Sequence, residues 1–366
     1  MTVEVAVNLL WCVPGDVGGS EEYLVRQLLG LTEVATHWRP VLFAPEGFAA
    51  AHPDLAAACE IREAPIDGAS RPRRIAAEAT WLRRQLRDAV LRHHGGGTAP
   101  AGAERPYLLT IHDLQYRTFP EHFSRLKRVY LDRTMPRAAG GAAAVAVPTE
   151  FVRTTVVDAY ALDPQHVVVV PHGFEPALLT DVTPADELRA RYALDGGPVL
   201  VYPAVTNTHK NHSFLLDLMR ERWTDPDLRL VLIGGEGSAE PTVSACTDLR
   251  VCRLGRVPPA DRNGLVALAD ALVFPSRYEG FGAPLIEAMA LGTPILAADT
   301  ACIPEVVGEA GIVVPLDADA WDDGLASARR RRDELSAAGH RRVEQFTAAR
   351  SGAALDVAYR TALEHA

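Results

Sequence analysis

Short apolar runs of strand length alternate with longer amphipathic stretches along almost the whole chain. In the first half, 3–11, 40–44, 60–65, 106–111, 142–148 and 167–170 read as strands, and in the second half 199–203, 228–233, 251–254, 271–274, 294–298 and 311–315 do. Most are nearly continuous in Val, Ile, Leu and Ala, as strands covered on both faces of a parallel sheet are. Between them lie stretches of helical period. In 23–31 the positions Leu24, Gln27, Leu28 and Leu31 repeat at that spacing. In 72–92 Ile75, Ala79, Leu82, Leu86 and Ala89 share one face, with Arg73, Arg74, Arg83, Arg84, Arg87 and Arg92 elsewhere. Further helices are expected after Thr149, a capping residue, after Ser213, over 258–269 with Leu265 and Leu268 inward, over 283–291, and over 348–363. Strand and helix in alternation predict an α/β protein of Rossmann-like, doubly wound units.

Two stretches break the rhythm. The segment 93–105, His-His-Gly-Gly-Gly-Thr-Ala-Pro-Ala-Gly-Ala-Glu-Arg, reads as a flexible loop with His93 and His94 in solvent. The segment from Pro171-His-Gly173-Phe to Pro184 reads as a linker. At 366 residues the chain suits two domains of about 150–200 residues each.

Charge removes some classes of function. Lys and Arg number 37 against 47 Asp and Glu, a net charge of −10, so nucleic acid is not the expected partner. Five scattered cysteines without a C-x-x-C predict reduced thiols, neither a zinc site nor a disulfide framework. No apolar run reaches the roughly 20 residues of a membrane span, and the first residues lack the features of a secretory signal, so a cytoplasmic protein is expected. The basic stretch 72–92 admits two readings, a helix packed on the sheet or peripheral contact with an anionic membrane at its inner face. Arg125, Lys127, Arg128, Arg133 and Arg137 likewise form either a solvated helical face or part of an anionic acceptor surface, and sequence alone leaves both open.

Candidate chemistry concentrates in 275–305. There Pro275-Ser-Arg-Tyr-Glu279-Gly-Phe-Gly282-Ala-Pro-Leu-Ile-Glu287 links a buried strand to a helix and then, through Gly292-Thr-Pro294, to another strand. Gly280 and Gly282 leave room for a ligand beside the backbone, and the N–H groups of Phe281 to Ala283 open at a helix N-terminus. The loop carboxylate of Glu279 suits a sugar hydroxyl, and Glu287, eight residues on, suits a ribose diol. Other loops at strand ends carry compatible groups: Gly18-Gly19, His112-Asp113, Gly234-Gly-Glu-Gly237, and Lys210 within Asn207-Thr-His-Lys-Asn-His, placed to neutralise a phosphate. Metal readings are rejected. His209 and His212 have no nearby carboxylate, and Asp317-Ala-Asp319 opens a helix, where aspartate is a cap. Arg329–Arg332 reads as a solvated face of that helix.

The stretch from Glu279 to Glu287 closely resembles the E-x7-E signature of family 4 retaining glycosyltransferases. That resemblance implies the GT-B fold, two Rossmann-like domains facing a central cleft. It gives an acceptor-side domain over 1–172, completed by 348–366 returning to it, and a nucleotide-sugar domain over 173–347. It implies a retaining, metal-independent hexosyltransferase that needs no cofactor. The donor is a nucleotide-sugar, GDP-mannose-type first and UDP-sugar next, and the acceptor a hydroxyl of a glycan, glycolipid or small molecule, as in polysaccharide biosynthesis. By the same resemblance Glu279 and His112 orient the donor sugar, Lys210 binds the diphosphate, and Glu287 holds the ribose. Gly18, Gly19, Asn207, Gly234, Gly280, Phe281, Gly282 and Ala283 line the donor. The chain departs from the family in one place: Tyr202-Pro-Ala-Val-Thr-Asn207 lacks the arginine that usually precedes the lysine. A nucleotide-sugar-binding sensor or inactive partner, or a nucleotide-sugar 2-epimerase, remain the rival readings.

Overall fold

The computed structural model describes residues 2–15, 18–87, 89–174, 176–194 and 196–366, so Asp16 and Val17 of the Gly-Gly loop, Asp88 of the basic stretch and Glu175 of the linker lie outside the described residues. The chain divides into two compact units, Met1–Gly173 with Phe346–Ala366, and Phe174–Gln345.

The first unit is built on a seven-stranded sheet of order β3-β2-β1-β4-β5-β6-β7. Its strands are β1 (Val3–Asn8), β2 (Trp38–Pro45), β3 (Glu60–Ala64), β4 (Leu91–His94), β5 (Tyr107–Thr110), β6 (Ala144–Val147) and β7 (Val167–Val169), and every pairing is parallel. The chain winds outward from β1 to β3, returns to β4 beside β1, and winds the other way. The switch point therefore falls between β1 and β4, where open α/β sheets bind ligands at their carboxyl ends. One face is covered by the helices Gly19–Val34 and Ala348–Glu364, whose Leu24, Leu28, Leu31, Leu355 and Tyr359 join Val5, Val7 and Leu108 in a single core. These two helices meet through glycine. A Cβ on Gly30 would lie 1.8 Å from the Ala348 carbonyl oxygen, and one on Gly352 would lie 2.1 Å from the Gly30 carbonyl carbon.

The second unit has a six-stranded parallel sheet of order β10-β9-β8-β11-β12-β13. Its strands are β8 (Val199–Pro203), β9 (Arg229–Ile233), β10 (Val251–Gly255), β11 (Ala271–Phe274), β12 (Ile295–Ala298) and β13 (Ile312–Val314). Here the switch point lies between β8 and β11. The four residues of β11 and of β12 are all buried, which is why their sequences are uninterrupted apolar runs.

Three expectations are corrected. His93 and His94 are not in a solvated loop: they sit in β4, at the centre of the first sheet, 0% and 1% exposed. The strand carries polar side chains because each has a partner. His93 shares hydrogen bonds with Tyr359 Oη (3.0 Å) and Thr110 Oγ1 (2.7 Å), and His94 Nδ1 with Asn8 Nδ2 (3.3 Å). Arg92, expected on a helix away from its apolar face, is buried in the same strand. It donates to the Leu86 carbonyl (3.0 Å) and to Glu104 (3.1 Å). The helical stretch accordingly stops at Arg83–Gln85; Leu82 and Leu86 pack with Val41 and Phe43 of β2, while Ile75 and Ala79 of the same expected face are exposed. Finally, Arg331 ends the helix Ala318–Arg330; Arg330 and Arg331 are exposed, but Arg332 donates to the carbonyls of Ala269 (3.1 Å) and Asp270 (3.3 Å), so only part of this run is a solvated face. Asp317 caps that helix by accepting from the Ala320 N–H, and Asp319 pairs with Arg222 at 2.6 Å. Thr149 likewise caps its helix, through the Val152 N–H.

No helix among the described residues is long and apolar enough to cross a membrane.

Candidate active site

In the second unit, the loops after β8 and β11 flank the switch point and bring two of the expected side chains together. β8 runs into a 3-10 turn, Thr208–Lys210, and Asn211 in a left-handed conformation (φ 58°) turns the chain into the helix His212–Glu221. Two bonds fix that turn: Tyr202 Oη donates to the Lys210 carbonyl (2.8 Å), and the Arg277 N–H from the facing loop donates to the His209 carbonyl (2.8 Å). Lys210 Nζ thereby reaches Glu279 Oε1 at 2.6 Å. The same oxygen accepts from the buried Ser276 hydroxyl at 2.5 Å, so Glu279 is oriented by two donors. Ser276 was not among the expected site residues. Its only signal in sequence is its place three residues before the carboxylate.

Gly282 has φ 86° at the N-cap of the helix Ala283–Ala290, a conformation that L side chains rarely adopt. A Cβ there would also come 2.9 Å from Leu285 Cδ1. The helix therefore starts directly after the Glu-Gly-Phe-Gly loop, with its first N–H groups at the loop side. Glu287, buried within it, is paired with the Arg262 guanidinium from the helix Pro259–Leu268. A ribose diol would thus have to share or displace this arginine, a partner no motif announces.

The loop after β9 closes on the loop after β8. Gly234 has φ 141°, and a Cβ on it would be 2.4 Å from the Ala204 carbonyl oxygen; one on Gly237 would be 2.5 Å from Asn207 Oδ1. Asn207 Oδ1 accepts from the Ser238 N–H (3.4 Å), tying loop to loop. Thr206 Oγ1 accepts from the Gly237 N–H (2.8 Å) and donates to Glu240 (2.6 Å), which takes two bonds from Arg253 at 2.7 and 2.6 Å. Arg253 first, then Thr206, depress the Glu240 carboxyl to about 2. Beside the segment that lacks the family's arginine, then, stands a guanidinium already neutralised by a carboxylate. His212 is pushed down to about 4 by burial and next by the Lys210 charge, so it is neutral at pH 7.

In the first unit His112 follows β5 and lies against the loops after β1 and β4. Its Nε2 donates to the Gly95 carbonyl (2.8 Å), which leaves Nδ1 as the acceptor of a neutral ring. Its ring meets Trp11 (centroids 5.6 Å) and Tyr23 (5.5 Å) edge-on. Burial pushes it down to about 4, with the Gly95 bond acting the other way. Trp11 and Gly96 are coupled, because a Cβ on Gly96 would lie 2.6 Å from the indole. Gly18 caps the helix Gly19–Val34 at φ 68°, and among the described residues nothing beyond the chain neighbours lies within 4 Å of where a Cβ on Gly18 or Gly19 would be. Among the described residues, no three His, Cys, Asp or Glu side chains are grouped to hold a metal ion.

Two doubly wound parallel sheets, with Lys210 and Glu279 paired at the switch point of one and a neutral histidine at that of the other, define an α/β protein of two Rossmann-like units. Comparison with known proteins narrows the class. Residues 17–178 match the profile described as Glycosyltransferase Family 4, and residues 197–329 that described as Glycosyl transferases group 1. The chain belongs to glycosyltransferase family 4, with the GT-B fold, and is an enzyme that transfers a sugar. It is 26% identical over 281 residues, 73% of each chain, to the O-antigen chain mannosyltransferase B of Escherichia coli. It is 34% identical over 211 residues to a D-inositol 3-phosphate glycosyltransferase of Jonesia denitrificans, spanning about half (50%) of that relative's length. A solved structure of Anabaena HepE in complex with UDP and glucose superposes with a TM-score of 0.74 at 18% identity, covering 98% of this chain and 99% of that one.

Proposed function

We propose that this enzyme is a retaining, metal-independent hexosyltransferase, moving a sugar from a nucleotide-sugar to a hydroxyl acceptor. The observation that carries the reading is the Lys210–Glu279–Ser276 cluster at the switch point of the second sheet. The second unit takes the nucleotide, with Glu287 at the ribose and the loops through Asn207, Gly234 and Gly280 to Ala283 around the diphosphate. Lys210, with the first-turn amides near Gly282, stabilises the charge that develops as the bond from the anomeric carbon to the phosphate oxygen breaks. Glu279 and neutral His112 accept hydrogen bonds from the sugar, and the Gly18-Gly19 loop approaches the phosphates. No side chain is placed as a nucleophile, so the acceptor oxygen bonds to the anomeric carbon on the face the phosphate leaves, and the acceptor proton passes to the departing phosphate.

For the donor we favour GDP-mannose or a close relative, on the name of the mannosyltransferase relative, with a UDP-sugar next, on the nucleotide bound in the Anabaena structure. The test is a thermal shift of the purified enzyme against GDP, UDP, dTDP and ADP, with and without EDTA, followed by donor hydrolysis. A nucleotide at 100 times its Kd should stabilise the protein by about 2.7 kcal/mol. A response to one nucleotide, unchanged by EDTA and followed by slow hydrolysis of its sugar derivative, is expected. Binding without turnover of any donor would point to a sensor or inactive partner, and loss of the response with EDTA would overturn metal independence.

A further inference from the structure

The basic helix Arg125–Gly141 borders an open cavity that the reading above leaves without a role. Tyr116, Arg117, Arg125, Arg128 and Asp132 line it, and its volume is about 380 Å³, within the roughly 300–1,000 Å³ of small-molecule sites. Three guanidiniums face one carboxylate in a protein whose net charge is −10. The three are not equivalent. Arg117 is anchored, donating to the Ala159 carbonyl (3.1 Å) and stacking over Tyr160 (5.6 Å). The guanidiniums of Arg125 and Arg128 have no hydrogen bond or ion pair among the described residues, and Arg128 Nε is buried without a partner. The first turn of their helix holds no acidic residue to offset them. Holding cations at a helix start costs stability, so the arrangement is unfavourable until an anion arrives. The cavity is also close in sequence to the candidate site: Tyr116 and Arg117 belong to the helix Gln115–Thr118, which begins just after His112, with the Gln115 N–H bound to Asp113 at 2.8 Å.

We propose that this cavity binds the phosphate group of the acceptor, so that the sugar is transferred to a phosphorylated molecule. The inference rests on the transferase reading above, with the first unit on the acceptor side. Arg125 and Arg128 supply N–H groups that match phosphate oxygens in pairs, and Arg117 and the Tyr116 hydroxyl complete the set. The phosphate belongs either to a soluble ester or to a lipid headgroup.

Calorimetric titration of the full-length enzyme with glycerol 3-phosphate, with glycerol as control, and flotation with phosphatidylcholine vesicles with or without phosphatidic acid, separate these sources. Wild type should bind at least one phosphate probe and not glycerol. The Arg125→Ala/Arg128→Ala variant should lose at least tenfold in affinity, while Arg350→Ala, exposed on the last helix, should not. If the double variant does not fold, Arg125→Ala alone, at an exposed position, should lose threefold or more. Binding of neither probe by wild type, or a double variant within twofold of wild type, overturns the proposal. Nucleotide-induced thermal shift, followed in parallel, should be the same in all variants. Its absence from wild type would count against the transferase reading and leave the phosphate result standing.

Discussion

At the scale of single residues, the pairing of Lys210 with Glu279 says most about mechanism. Their side chains are 20% and 10% exposed, so the ion pair is only partly screened, and Ser276 supplies a second donor to the same carboxylate oxygen. Without donor, the pair neutralises itself; in the reaction proposed above, a diphosphate would share Lys210 with Glu279. On that proposal Lys210 has a structural and a chemical role, and they can be separated. Lys210→Met should cost about 1–3 kcal/mol of stability, because the buried Glu279 carboxyl loses one of its two donors. It should also lower turnover roughly 10²- to 10³-fold, as loss of a group facing developing charge does. Adding Glu279→Gln removes the uncompensated carboxylate, so the double variant should regain most of the melting midpoint and none of the turnover. Recovery of both would mean that Lys210 only props up Glu279. Glu287 poses a different question, since Arg262 already occupies it. Glu287→Ala should mainly weaken nucleotide binding, read as a larger Kd, whereas Glu279→Ala should mainly lower kcat; equal and mild effects would reverse the two roles.

Among the elements, those built on apolar continuity were legible and those built on partnership were not. β8, β11 and β12 announce themselves as runs such as Val-Leu-Val-Tyr and Ala-Leu-Val-Phe, and the glycines after β11 mark where the helix Ala283–Ala290 must begin. Hence the second unit's site could be assembled from sequence almost loop by loop. β4 could not. Leu-Arg-His-His has no apolar pattern, and what makes it a central strand is Tyr359, Thr110 and Asn8, brought in from 266, 17 and 86 residues away. Without that strand the basic stretch reads as one helix through Arg92. Arg262 and Ser276 escaped for a related reason, because nothing local marks them as partners of a carboxylate. The return of the last helix was legible as a helix, but its contact depends on two glycines that no periodicity singles out. Gly30 and Gly352 let the backbones of Gly19–Val34 and Ala348–Glu364 touch. Gly30→Ala should drive a methyl into the Ala348 carbonyl and destabilise the first unit by about 1–3 kcal/mol or more, although alanine is the better helix former. A urea midpoint equal to wild type would show that the helices can part at no cost.

For the molecule as a whole, acidity should not act evenly on the two units. In the first, burial pushes His93 down to about 3 and His94 and His112 down to about 4, against 6.5 for a free histidine, and His172 is lowered as well. Around them stand Arg92 beside His94, Arg26 beside His172, and the histidines themselves, all of which oppose a further proton. Between pH 6.5 and 4 the unfolded chain thus binds protons that the folded unit refuses. The stability these groups contribute is complete above about pH 6.5 and is lost as the pH falls toward 4, at up to about 1.4 kcal/mol per pH unit for each histidine. In the second unit only His212, lowered to about 4, behaves this way among the groups with a resolved shift. Its depressed carboxyls, Glu240 and Asp261 at about 2, hold their contribution until the pH falls below the ordinary carboxylate range. Amide hydrogen exchange at pH 7, 6 and 5, corrected for the intrinsic pH dependence, should therefore show protection in β4 and β5 dropping by several kcal/mol while β8 and β11 lose far less. Replacing His93 by Gln should flatten the response of the first unit by about one histidine's share, since glutamine does not titrate. Parallel losses in both units, or an unchanged slope in the variant, would mean that the buried histidines do not govern the acid response.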